Sequence, residues 1–135
     1  MPVSLRYLLL LVGVALLSAI ASIIVQHHQT THRAEVTARQ LTGGDVRAGS
    51  HAIRRYACGA CHEIPGIPGA QGDVGPSLDG FSRRTEIAGR LSNDPADLVR
   101  WIRHPQQISP GNGMPDQGVT EQDARDIAAY LYTLR

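Results

Sequence analysis

Apolar residues run unbroken near the start of this chain, thin out over the next twenty or so positions, and return from position 46 at spacings of three and four. From Tyr7 to Val25, nineteen residues carry no charge. At about 1.5 Å per residue, a helix of that length just matches the thickness of a bilayer core. A cleavable signal sequence would use Leu8 to Leu17 as its apolar stretch and Ala19-Ile20-Ala21 as the small-x-small cut. Ile23, Ile24 and Val25 carry the apolar run past that cut, which favours an uncleaved membrane anchor over residues 1–25. Charge does not orient it, since Arg6 precedes the span and Arg33 and Arg39 follow it. Residues 26–44, QHHQTTHRAEVTARQLTGG, are polar, end in a Gly pair and show no sustained apolar stripe, so they are expected to form a flexible linker. Nineteen such residues would have an r.m.s. span of about 25 Å. No Cys or carboxylate is placed to complete a metal site with His27, His28 and His32, which are read as solvated linker side chains.

The pattern changes at Asp45, an N-cap residue type. Val46, Gly49, Ile53 and Tyr56 follow it on one helical face, in a helix expected to run directly into Cys58. The segment from Glu63 to Gly80 is rich in Gly and Pro and reads as a loop that something else must fasten. A short helical turn is expected around Thr85 to Leu91. Asp94 then caps a helix with Pro95 at its first position and Leu98, Trp101 and Ile102 facing inward, ended by Pro105. Residues 106–119, QQISPGNGMPDQGV, form a second loop that contains Met114. Thr120, with Asp123 three residues on, opens a last helix whose stripe is Ala124, Ile127, Ala128, Leu131 and Leu134. Residues 45–135 therefore read as one small all-α domain of helices joined by long loops, with no strand pattern of useful length.

Composition adds two constraints. A formal charge of +1 lacks the basic excess that would suggest nucleic acid as a partner, and the use of Arg for all thirteen basic residues reads as a compositional bias. Four Tyr, one Trp and one Phe make a thin core, which a large apolar cofactor would complete. Cys58-Gly59-Ala60-Cys61-His62 has the C-x-x-C-H form of a c-type haem attachment site: two thiols three apart can each bond one porphyrin, and the next residue offers an imidazole to the iron. A redox disulfide should accompany a βαβ pattern, and zinc wants four ligands where this chain has two Cys. An electron-carrying haem needs a sixth ligand. Met1 precedes the span, so Met114 is the remaining methionine. His51 and His104 are the alternative donors. His51 lies about 10 Å of helical rise before Cys58, and His104 is read as a helix-end residue that could instead approach a haem propionate.

CGACH, the downstream GPSL, the Met in PGNGMP and the terminal AAYLYTLR together resemble a class I cytochrome c over about residues 43–135. More narrowly, LVRWIRHPQQISPGNGMPDQGVT resembles the cytochrome c domain fused to subunit II of some haem-copper oxidases, with His104 as a departure from the acidic residue often found there. The resemblance implies one haem c attached through Cys58 and Cys61, with His62 and Met114 on the iron. The carbonyl of Pro76 would orient His62, Trp101 would join the cofactor-binding positions, and the first and last helices would cross closely at Gly49 and Tyr130. It also implies an exported domain: a single-pass protein of the bacterial inner membrane with the cytochrome domain in the periplasm. Such a protein would be an electron carrier and not an enzyme, moving electrons from a quinol-oxidising complex toward a terminal oxidase. The alternative is a permanently docked subunit of a dehydrogenase.

Overall fold

The computed structural model describes residues 2–135, so Met1, the first residue of the expected anchor, lies outside the described residues. The chain divides into two compact units, one ending at Arg33 and the other running from Ala34 to Arg135. The first unit is helical. It belongs to α1 (Val3–Thr42), whose most apolar eighteen-residue window has a mean hydropathy of 2.9 and no buried residue. By length and composition this helix is able to cross a membrane.

Helix α1 does not stop at Val25. Residues 26–42, expected to be flexible coil, are helical, so the 25 Å coil span does not describe them. Within the second unit the cause is a stripe of small residues: Ala34, Ala38 and Thr42 recur every fourth position and are buried, Ala38 alongside Val46 and Ala129. A search for large apolar side chains passes over such a stripe. The helix ends where Gly43 takes a φ of +68°. Arg39 pairs with Asp45 at 2.7 Å across the turn that follows.

The second unit continues with α2 (Val46–Arg55), a hairpin of β1 (Glu86–Ile87) and β2 (Leu91–Ser92), α3 (Pro95–Arg103), α4 (Pro105–Ile108) and α5 (Glu121–Thr133). The expected caps form: Asp45 accepts from the amides of Arg47 and Ala48, Asp94 from Asp97, and Thr120 from Asp123. Pro105 ends α3 and also opens α4, where its missing N–H costs nothing. Two local expectations change. Helix α2 ends at Arg55, and Ala57, at a φ of +51°, turns the chain before a single 3₁₀ turn over Cys58–Ala60. The helical turn expected at 85–91 is the hairpin, whose bend places Ala88 and Gly89 at φ of +52° and +64°, the mirror-image turn that suits twisted strands.

Helices α2 and α5 cross against each other and make the most extensive packing in the unit. Ala52, Ile53, Ala124, Ile127, Ala128 and Leu131 are buried there with Leu98 and Ile102 of α3. At the crossing the backbones meet at Gly49, where a Cβ would collide with the carbonyl of Asp126 and the Cβ of Tyr130.

Candidate haem site

The 3₁₀ turn that begins at Cys58 borders a cavity of about 610 Å³. That volume lies within the range of organic-ligand sites, roughly 300–1,000 Å³. Cys58, Cys61, His62, Pro76, Trp101 and Met114, six residues drawn from four separate segments of the sequence, all line it. The remaining wall is largely apolar and includes Ile53, Leu98, Ile102, Ile127 and Leu131. The two cysteines are not joined to each other. Burial pushes the Cys58 thiol above its ordinary value, which keeps it protonated.

The loop after His62 is stitched to the attachment turn by main-chain bonds. Gly72 donates to Gly59 at 3.1 Å, Gly75 to Cys61 at 2.7 Å and Leu78 to Glu63 at 2.8 Å. Gly75 is required at its position, because any Cβ there would strike the His62 ring. One residue on, the Pro76 carbonyl lies 2.8 Å from His62 Nδ1. A carbonyl can only accept, so Nδ1 carries the ring proton and Nε2 presents its lone pair. A histidine so oriented is a ready axial donor, and a sulfur donor, Met114, lies on the same cavity. The donor set and the apolar wall fit an iron porphyrin held by two thioethers.

The other histidines lie elsewhere. His51 is exposed, with Nδ1 2.9 Å from the Arg54 guanidinium, and His104 is half-buried at the junction of α3 and α4; neither lines the cavity. His27, His28 and His32 are exposed on α1, and among the described residues no group of three or more His, Cys, Asp or Glu is placed to hold a metal ion.

Sequence reasoning passed over Arg84, which lines the cavity, donates to the carbonyls of Ser77 and Asp79, and stacks its guanidinium 5.5 Å from the centre of the Phe81 ring. It also passed over Gln106 and Asn112, whose side chains organise the Met114 loop. A second Arg beside Arg83 gave no signal of its own, and neither did a Gln in a Gly/Pro loop. Asn is common in turns for local reasons, so Asn112 raised no suspicion of a wider role.

The family model described as cytochrome c matches residues 46–135. Cytochrome c oxidase subunit 2 of Alkalihalophilus pseudofirmus is 35% identical over 88 residues, covering 64% of this chain and 25% of that protein. The same subunit of Bacillus sp. (strain PS3) is 32% identical over 88 residues, covering 62% and 25%. Cytochrome c2 of Rhodoblastus acidophilus is 36% identical over 103 residues, covering 65% of this chain and 91% of that one. The chain thus spans about a quarter of the length of the oxidase subunits it matches. No solved structure matches it. With a family match over the whole cavity-bearing region, the chain belongs to the cytochrome c family, has an electron-transfer role, and takes covalent haem c as its cofactor.

Proposed function

We propose that this protein is a membrane-tethered monohaem carrier that passes single electrons within a respiratory chain toward a terminal oxidase. The observation that carries the reading is the pairing, on one cavity, of a histidine whose Nε2 is freed by the Pro76 carbonyl with a single thioether, Met114. Haem c, when bound, supplies a reversible one-electron iron couple. Cys58 and Cys61 would fasten it, His62 would offer its Nε2 to the iron and Met114 its sulfur. Trp101 and the aliphatic wall exclude water from the ring. A thioether is a soft ligand that favours the reduced iron and raises the potential, as suits delivery to an oxidase.

The apolar part of α1 supports the tether, with residues 1–25 as anchor and 45–135 as the haem domain. The matched oxidase subunits support the acceptor, and a quinol-oxidising complex is the corresponding donor. The family's export of its haem domain supports a periplasmic side, with the amino terminus inside.

The oxidised holoprotein is expected to show a near-infrared sulfur-to-iron band that Met114→Ala removes, with a lower midpoint potential. A native protein without that band sinks the axial assignment.

A further inference from the structure

Met114 lies outside the helices, in a loop between α4, which ends at Ile108, and α5, which begins at Glu121. Its main chain is nevertheless held at both polar atoms by side chains. The Met114 N–H donates to Asn112 Oδ1 at 2.7 Å, and the Met114 carbonyl accepts from Gln106 Nε2 at 2.7 Å. The same Gln106 amide donates to the Asn112 carbonyl at 2.9 Å and accepts from the Gly111 N–H at 3.0 Å. Asn112 Nδ2 donates to the carbonyls of Pro105 at 3.0 Å and Ser109 at 2.6 Å. The Gln106 N–H is itself held by Asp116 Oδ1 at 3.2 Å. Each amide thus engages its oxygen and its NH₂ group inside the loop.

Polar groups of a surface loop are ordinarily satisfied by water. Here Gln106 and Asn112 are half-buried and turned inward, and their bonds converge on the residue that carries the thioether. We propose that Gln106 and Asn112 are positioning residues that clamp the Met114 main chain at its N–H and C=O, and so keep its sulfur on the iron in both oxidation states. The proposal rests on the reading of Met114 as axial donor.

The test uses the full-length holoprotein in detergent. The variants are Gln106→Leu and Asn112→Leu, with Gln106→Glu and Asn112→Asp as conservative partners. Asn112→Asp keeps the acceptor for the Met114 N–H, whereas Gln106→Glu loses the donor to the Met114 carbonyl. Three readouts bear on the sulfur: the near-infrared band, the midpoint potential and the rate of imidazole capture by the oxidised protein. Helix unfolding is followed alongside.

Each Leu variant loses three side-chain hydrogen bonds, one of them to the Met114 main chain, and is expected to capture imidazole about tenfold faster or more. The band should weaken and the potential fall, with little change in the unfolding of the helices. Asn112→Asp should keep more of the band than Asn112→Leu. If the native band is present and the variants retain native capture rates and potentials, the clamp is overturned while the axial assignment stands. If the native protein lacks the band, both fall. Should a Leu variant fail to hold haem, Gln106→Glu, which loses the donor to the Met114 carbonyl, decides between the same outcomes.

Discussion

The α2–α5 crossing and the Met114 loop lie on the same unit and are built by opposite means. At the crossing, order comes from apolar surfaces brought so close that Gly49 has no room for a Cβ. In the loop, order comes from two side-chain amides wrapped in main-chain bonds. Helix α5 shows the change within one element: Ala124 and Ala128 are fully buried in the core, whereas Ile127 and Leu131 line the cavity. The wall those side chains form is largely apolar, so it is complete only against an apolar partner of matching size. The crossing is therefore a frame complete in itself, and the cavity wall is half of a structure whose other half is the cofactor.

The most severe way to break the comparison is Gly49→Ala. The added methyl meets the carbonyl of Asp126, a main-chain atom in the middle of a helix that cannot rotate away. A loss of about 3 kcal/mol or more is expected, at the upper end for overpacked cores, read as a fall in denaturant midpoint. A cost below about 1 kcal/mol would mean that the helices slide freely and that the crossing is no frame.

A gentler change, Tyr130→Phe, sharpens the same distinction. The Tyr130 hydroxyl donates to the Pro65 carbonyl at 2.7 Å, fastening α5 to the loop that follows the attachment turn. Removing it should cost about 1 kcal/mol, the net value of one such bond, and leave the sulfur-to-iron band unchanged. A lost band would show the two regions to be one.

The same contrast decides what was legible in the sequence. Caps and stripes are local, so Asp45, Asp94, Thr120 and the Ala124–Leu131 face could be read directly. Cys58, Cys61 and His62 were legible because the attachment chemistry demands a fixed spacing, and Met114 because so few methionines compete with it. Gln106 and Asn112 were not, since what they do depends on where a loop closes in space. The helical course of residues 26–42 was hidden for another reason: its buried face in the second unit is made of Ala34, Ala38 and Thr42, which a hydropathy pattern scores as weak. Ala57 and Ala88 take left-handed conformations without being glycine, so the end of α2 and the hairpin left no mark either.

The smallest effect expected is a pH dependence seated at the crossing. Asp123 accepts from the Tyr56 hydroxyl at 2.8 Å, from the Thr120 hydroxyl at 2.8 Å and from the Arg55 guanidinium at 2.8 Å. The hydrogen bonds from Tyr56 and Thr120, with Arg55 beside them, hold its carboxyl below the ordinary value of 3.8. A depressed carboxylate favours the fold while it is ionised. Its contribution is therefore complete above about pH 4 and is lost as pH falls through the lowered folded value. At the alkaline end the sign reverses: burial, with the charge of Asp94, pushes Tyr132 up to about 12, so stability declines as pH rises past 10 and the unfolded phenol ionises first. For Asp123 the stake is about 1 kcal/mol or less, because Arg55 is largely exposed and its pairing is screened. Denaturant midpoints between pH 3 and 7 should fall on acidification in the native protein and less steeply in Asp123→Asn. Parallel slopes would mean that this network is not what ties α2 to the start of α5.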